Sequence, residues 1–147
     1  MNLVEQNQNG AYPFYTRNVG SFFCDKYTHE GTGVIVAGEG NFSPKFVTGK
    51  FGLHQRAYFI TPKDSRFSAS VLFEIIENNV DFLNAVAVGS TVRSLRRFCF
   101  ESIPFYEDAD FRLLSAELDS VFSYIVALQK ESALLKREKS VLLRKYF

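Results

Sequence analysis

The sequence has few cysteines and no long apolar run, and both absences restrict what the protein can be. Its 147 residues include two cysteines, Cys24 and Cys99, which are too few for a disulfide framework. No apolar stretch approaches the roughly 18 residues of a membrane-spanning helix. Residues 1–9 also lack the basic-then-apolar pattern of a secretory leader. These absences predict a protein of the reducing cytoplasm. We also expect both thiols to be buried as small hydrophobic side chains.

Charge of one sign is also lacking, because 17 basic and 16 acidic residues give a formal net charge of +1. A protein that coats nucleic acid by charge alone is usually far more basic. Only local clusters of charge can therefore carry information. Aromatic residues, by contrast, make up 16% of the chain, and apolar residues 46%, so the sequence predicts a folded domain with a real core.

Glycine and proline are absent from the end of the chain. Every glycine and proline lies within residues 1–107, and neither occurs after Pro104. This change predicts a globular domain at 1–107 followed by a long helix at 108–147. The domain reads as α+β (mixed α/β): short apolar runs indicate strands, and helical spacing indicates a helix. We predict strands at 34–37, 57–60 and 95–100, a helix at 70–83, and loops or loop edges at 38–52 and 88–97.

The terminal segment has the periodicity of a coiled coil. One heptad core position takes Phe111, Leu118, Ile125, Ser132, Lys139 and Tyr146, and the other takes Leu114, Val121, Leu128, Leu135 and Leu142. A helix over 108–146 is roughly 58 Å long. Asp108 or Asp110 can cap its start, and its last turns carry the basic residues that suit a negative helix end, Lys136, Arg137, Lys139, Arg144 and Lys145.

This helix must bury its apolar stripe against something. One alternative is a helix folded back on its own domain, and the additional apolar residues Leu113, Phe122, Leu134, Val141 and Leu143 indicate some contact beyond a two-stranded seam. The stripe is too long for that alone, so we expect a helical partner. Dimerisation would use Leu114, Leu118, Val121, Ile125, Leu128, Leu135 and Leu142. Ser132 and Lys139 weaken such a seam but can fix its register.

Catalytic signatures are scarce. The glycine pairs at 31–33 and 38–40 resemble pieces of a dinucleotide-binding loop, but an apolar run lies between them and the second pair runs on to Pro44. Gly49-Lys50 lacks the rest of a phosphate-binding loop, and no Cys or His pair has zinc spacing. His54 is the one candidate general base, and a structural role suits it better. We therefore expect no catalytic residue and no metal site.

Three polar clusters fit DNA contact. Residues 38–45 form a flexible loop that carries both hydrogen-bond donors and acceptors. Residues 53–56 bring together His54, Gln55 and Arg56. Gln and Arg suit bidentate contacts with adenine and guanine edges. Residues 89–97 add three guanidinium groups, two hydroxyls and backbone amides, which suit phosphates. Taken alone, each cluster is better explained as an ordinary turn or a solvated basic face, and it is their combination in a nearly neutral domain that favours DNA contact.

These clusters also resemble a known family. Residues 12–17 (YPFYTR), 38–45 (GEGNFSPK), 53–56 (LHQR) and 87–95 (AVGSTVRSL), followed by Ile103-Pro104 and the heptad helix, resemble a target-recognition domain with its spacer helix. The family is the DNA-specificity subunits of type I restriction–modification systems. The resemblance covers nearly the whole chain in the same order, and no single motif carries it.

The resemblance implies a non-catalytic subunit that reads one half of an interrupted DNA target. The partners it implies are double-stranded DNA, a modification subunit that binds S-adenosylmethionine, and a restriction subunit that uses ATP and Mg²⁺. The family usually has two domains and two helices, whereas this sequence carries one of each and little of the N-terminal segment that opens such a domain. We therefore expect a half-subunit, paired with an identical or a different half.

The site residues follow from the clusters and the resemblance together. Expected base-edge contacts are Asn41, Ser43, His54, Gln55 and Arg56. Expected phosphate contacts are Arg17, Lys45, Arg93, Arg96 and Arg97, with Ser90 and Thr91 beside them. Two alternatives stay open at this stage: a coiled-coil adaptor that binds the modification subunit without reading DNA, and an enzyme with an unrecognised site around His54.

Overall fold

The computed structural model describes residues 7, 10–17, 22–105 and 110–146, and in these ranges it has a five-stranded sheet and four helices. The strands are β1 (Tyr12–Tyr15), β2 (Phe22–Cys24), β3 (His29–Ala37), β4 (Lys45–Leu53) and β5 (Ala57–Ile60). The helices are α1 (Ala69–Glu77), α2 (Val80–Val86), α3 (Arg97–Glu101) and α4 (Arg112–Tyr146). The predicted class, an α+β domain followed by a long C-terminal helix, is confirmed.

The sheet has the order β2-β1-β4-β3-β5. Its neighbours are antiparallel except β1 and β4, which are parallel. Successive side chains of β3 point to opposite faces, so two core clusters form. Val34 and Val36 pack with Ile76 of α1 and Leu83 of α2, whereas Ile35 packs on the opposite face with Val47, Phe51 and Leu53 of β4. Both cysteines are buried, as predicted.

The predicted loop over 38–52 is wrong beyond residue 44. Residues 45–53 form the central strand β4, hydrogen-bonded to β1 on one side and β3 on the other. Its middle residues Thr48, Gly49 and Lys50 are exposed, and this polar stretch interrupts the apolar alternation that would indicate a strand. Pairing with β3, rather than local pattern, makes this segment extended. The strands β1 and β2 were not predicted at all.

The predicted strand over 95–100 is also wrong, because residues 97–101 form α3. Leu95 and Cys99, four residues apart, are buried, whereas Phe98 is 51% exposed. This is helical spacing, which a run of six residues is too short to reveal. The flanking segment 88–96 is irregular, as predicted, apart from isolated bridges that Ser94 makes with Val88 and Glu39.

The predicted helix over 70–83 is present as two helices. The break falls at Asn78 and Asn79, whose side-chain amides donate to the carbonyls of Glu74 and Ile75 at 2.8 Å each. The backbone amides of Asn78 and Asn79 donate to the carbonyls of Glu74 and Ile76, so the side-chain bonds add donors at the end of α1, where helix carbonyls lose their regular partners. The strands predicted at 34–37 and 57–60 are confirmed, the first as the end of the longer β3.

The helix α4 extends about 52 Å at 1.5 Å per residue. At its start, the Asp110 carboxylate accepts a 3.0 Å hydrogen bond from the Arg112 amide and pairs with its guanidinium. These bonds lower the pKa of Asp110 to about 2. The predicted capping role of Asp110 fits this geometry, whereas Asp108 lies outside the described residues. In the described part of the chain, no helix is long and apolar enough to cross a membrane.

Candidate nucleic-acid interface

Four polar segments that are distant in the sequence meet where the chain leaves the strands β1, β3 and β4. The Gly38 amide donates to the Arg56 carbonyl at 2.8 Å, and the Leu95 amide donates to the Gly38 carbonyl at 2.9 Å. The His54 amide donates to the Tyr15 carbonyl at 2.9 Å, which ties residues 53–56 to the end of β1. The backbone thus joins every loop on which the resemblance to a target-recognition domain rested.

Glu39 lies at the centre of this junction. Its Oε2 accepts from the Arg56 guanidinium at 2.7 Å and from the Arg17 guanidinium at 3.4 Å. The Glu39 side chain is 21% exposed, whereas those of Arg56 and Arg17 are 55% and 44% exposed. Both cations therefore reach solvent while sharing one partly buried counter-charge.

The glycines on either side of Glu39 allow this close packing. A side chain at Gly38 would place its Cβ 2.9 Å from the Arg56 carbonyl oxygen. Gly40 has a φ of +86°, which favours glycine, and its amide donates to the Arg93 carbonyl at 3.3 Å. The glycine pair that resembles a piece of a nucleotide loop thus serves to hold a carboxylate between two loops.

Around Glu39 opens a cavity of about 230 Å³ lined by Gln55, Arg56, Tyr58 and Arg96. The Tyr58 hydroxyl donates to the Leu95 carbonyl at 2.9 Å and fixes the cavity wall. Gln55 and Arg96 are exposed. We call Arg17, Glu39, Gln55, Arg56 and Arg96 the Glu39 cluster.

A second cavity of about 240 Å³ is lined by Arg17, Asn41, Ser43 and Lys45. The Asn41 side-chain oxygen accepts from the Ser43 amide at 2.9 Å, so the loop before β4 has a defined shape. Lys45 donates to the Thr16 carbonyl at 3.5 Å, and burial lowers the pKa of its ammonium group. Arg17 lines this second cavity and pairs with Glu39, which lines the first.

His54 lies beneath the cluster and is 7% exposed. Its Nδ1 accepts from the Arg56 amide at 3.2 Å, which requires an unprotonated Nδ1 and assigns the proton of the neutral ring to Nε2. Burial lowers the pKa of His54, the positive charges of Arg17 and Arg56 lower it further, and Glu39 opposes them. This geometry gives His54 a hydrogen-bonding role in orienting residue 56.

Besides His54, four of the expected contact residues lie outside the two cavities. Arg93 donates to the Asn84 carbonyl of α2, and Arg97 pairs with Glu101 at 2.7 Å on the surface of α3. Ser90 and Thr91 are exposed on the loop after Gly89. Glu39 and Tyr58 line the first cavity, although neither was among the residues predicted to contact DNA. An acidic residue between two glycines, close to several basic segments, was the available signal for Glu39.

The other feature of interest is α4, which uses two different faces. Among the described residues of α4, Phe122 is buried. The centroid of its ring lies 4.6 Å from that of Phe46 and 5.2 Å from that of Phe73. Ser70 donates to Asp119 at 2.6 Å, and the Ser68 amide donates to Ser115 at 3.0 Å. The alternative of a helix folded back on its domain therefore holds for the first part of α4.

The predicted seam lies roughly a quarter-turn around α4 from this docking face. Apart from the partly exposed Leu118, the residues expected to pair are exposed: Leu114 43%, Val121 53%, Ile125 39%, Leu128 46%, Leu135 58% and Leu142 56%. Every residue from 127 to 146 is exposed, so about 30 Å of helix extends past its contacts with the domain.

The fold matches that of a solved structure. The chain superimposes on the S subunit of a type I restriction–modification system from M. genitalium with a TM-score of 0.70 and 15% sequence identity, over 92% of this chain and 37% of that one. The fold is that of a type I specificity subunit.

A sequence comparison agrees. The chain is 25% identical over 143 residues to the specificity subunit of the type I restriction enzyme EcoDI from Escherichia coli, covering 93% of this chain and 32% of the relative. No family model matches the chain. The resemblance to type I specificity subunits that the sequence predicted is confirmed, and the chain spans about a third of the length of these relatives.

Proposed function

We propose that this chain is a DNA-recognition half-subunit of a type I restriction–modification system. Its domain reads one half of an interrupted target, and α4 pairs with a helix of a second recognition unit and docks the modification subunit. The observation that carries the proposal is the convergence of four distant polar segments at Glu39, in a chain similar to specificity subunits.

Within this function, the exposed side chains divide by chemistry. Arg56 presents a planar pair of donors beside the cavity, and Gln55 presents a planar amide with one donor group and one acceptor group, so both suit base edges. Asn41 offers a similar amide, and Ser43 a hydroxyl, in the cavity that Arg17 lines. Arg17, Lys45, Arg93, Arg96 and Arg97 suit phosphates. Because His54 is buried, it would support this surface by orienting Arg56.

Methyl transfer and cleavage would belong to other subunits. In this proposal the modification subunit holds S-adenosylmethionine, the restriction subunit uses ATP and Mg²⁺, and this chain binds neither cofactor nor metal. If the second recognition unit is an identical chain, two-fold symmetry requires an inverted-repeat target interrupted by unread bases. A different half-subunit would give an asymmetric target.

Methylome sequencing of cells that express the chain with its modification subunit tests the proposal. We expect methylation at a two-part motif. Changing Gln55 should alter both halves of the motif if the two units are identical chains, and one half if they differ. An asymmetric motif would exclude the homodimer while preserving the recognition role. Methylation at no defined motif, with the complex assembled, would contradict the proposed function.

A coiled-coil adaptor that does not read DNA is a second candidate. The exposed stripe of α4 favours it, because that surface can dock a helix without help from the Glu39 cluster. Such an adaptor would co-purify with the modification subunit and show no preference among DNA duplexes of different sequence.

A further inference from the structure

The charge arrangement at Glu39 is unusual for a surface that binds DNA. A carboxylate repels phosphates, yet this one stands between two exposed guanidinium groups and is less exposed than either. Its backbone is hydrogen-bonded on both sides, because Gly38 bonds to Arg56 and Leu95, and Gly40 bonds to Arg93. Such a side chain has a fixed position from which it can act on its neighbours.

The two ion pairs of Glu39 are unequal. Arg56 lies 2.7 Å from Oε2, a strong charge-assisted hydrogen bond, whereas Arg17 lies at 3.4 Å. A guanidinium has five N–H donors in a rigid fork, so one bond to Glu39 leaves Arg56 with donors for a base edge. The longer contact leaves Arg17 freer to move towards a phosphate.

The backbone of Arg56 is held as well. Its amide donates to His54 Nδ1 at 3.2 Å, and its carbonyl accepts from the Gly38 amide at 2.8 Å. Both ends of this residue are therefore restrained, at the backbone by residues 38 and 54 and at the guanidinium by Glu39. A restrained Arg loses little conformational freedom when it reads the two acceptors of guanine, O6 and N7.

We propose that Glu39 is a positioning residue for sequence discrimination. Its carboxylate holds the Arg56 guanidinium in the orientation that reads a guanine edge, and its charge prevents Arg56 from binding phosphates without regard to sequence. This inference rests on the proposed DNA-recognition function and adds the residue that tunes it.

The test uses the full chain in complex with its modification subunit. A preferred duplex is selected from a randomised pool, and its affinity is compared with that of a scrambled duplex over a range of salt concentrations. For Glu39→Gln we expect about a tenfold loss of preference for the selected duplex. We also expect tighter binding to the scrambled duplex. The slope of log binding constant against log salt concentration should become steeper by about one unit, because one more cation engages phosphate.

Glu30→Gln is the matched control. Glu30 carries the same charge and pairs with Lys50 at 4.0 Å, but it lies at the other end of β3 from Glu39. The control should leave both the preference and the salt dependence as in the unaltered chain. Thermal unfolding of each variant checks that the fold is retained.

A double-mutant cycle tests whether Glu39 acts through Arg56. Arg56→Lys keeps the charge and loses the planar fork, so it should lower the preference at an unchanged salt dependence. Adding Glu39→Gln to Arg56→Lys should then lower the preference by less than a further twofold. If Glu39→Gln alone destabilises the domain, the test rests on the Arg56→Lys variant. An unchanged preference for the selected duplex in that variant overturns the proposal.

Other outcomes are equally clear. Unaltered preference and salt dependence in Glu39→Gln overturn the inference, and so does an equal loss of affinity for both duplexes. An equal loss of preference in both backgrounds of the cycle shows that Glu39 does not act through Arg56. If the unaltered complex selects no sequence from the pool, the proposed function itself fails and the inference fails with it.

Discussion

The ring of Phe122 on α4 lies 4.6 Å from the ring of Phe46 on β4, centroid to centroid. This contact joins the terminal helix to the sheet, because Phe122 is 8% exposed although its neighbours along α4 are mostly open to solvent. It fixes which face of α4 the domain covers, and therefore which face stays available for a partner.

Replacing Phe122 with alanine should destabilise the domain by about 3 kcal/mol, because buried Phe→Ala changes lose transfer free energy and leave a cavity. Chemical denaturation measures this difference. Leu113→Ala is the control on the same helix, since Leu113 is 85% exposed, and it should change the free energy of unfolding by less than about 0.5 kcal/mol. Equal effects from the two changes would contradict the docking of α4 through Phe122.

Placing aspartate in the seam should prevent helix pairing without unfolding the domain. Leu128→Asp combined with Leu135→Asp puts two carboxylates where an apolar seam is expected, and both positions are exposed in the single chain. Light scattering should then report a single chain where the unaltered protein gives a pair. Ala127→Asp, exposed and on neither the seam nor the docking face, should leave the mass of the assembly unchanged.

Arg96 and Gln55 line the same cavity, but replacing them should affect DNA binding in different ways. Arg96→Ala should weaken binding to all duplexes and reduce the salt slope by about one unit, as the loss of a phosphate contact does. Gln55→Ala should relax the preference among bases with little change in the salt slope. Binding assays on selected and scrambled duplexes measure both effects, and indistinguishable behaviour of the two variants would refute this division.

His54 should make the domain less stable in acid. Burial lowers its pKa in the folded state below the ordinary 6.5, so between these two values the unfolded chain binds more protons than the folded one. The free energy of unfolding should therefore be unaffected by His54 above about pH 6.5, and should fall as the pH drops towards the folded-state pKa.

Unfolding experiments at pH 7.5 and 5.5 measure this loss, and NMR titration of the His54 ring measures the pKa directly. His54→Gln should reduce the difference in stability between the two pH values. His29→Gln is the control, because it removes the other histidine, which lies on β3 beside Phe51. A folded-state pKa at or above 6.5 would contradict the expectation.

The arrangement around Glu39 shows why the sequence pointed to some of the residues that meet there and not to others. Gln55, Arg56 and Arg96 stand out by residue type, because their side chains suit bases and phosphates wherever the fold places them. Glu39 does not, because its role depends on the guanidinium groups of Arg17 and Arg56, which are remote from it along the chain. The fold brings them together through the bonds of residue 38 to residue 56 and of residue 54 to residue 15. Adjacency of this kind is a property of the folded chain.

The sequence by itself determined the long terminal helix, the α+β class, the burial of both cysteines and the resemblance to specificity subunits. Helical periodicity and the absence of glycine and proline are local signals that hold over many turns. Tertiary structure decided the extended conformation of residues 45–53, the short helix at 97–101 and the meeting of four polar segments at Glu39. It also decided that α4 docks through Phe122 and leaves its seam exposed. These features depend on pairing and packing between distant residues, whose free energies override the weak preferences of short segments.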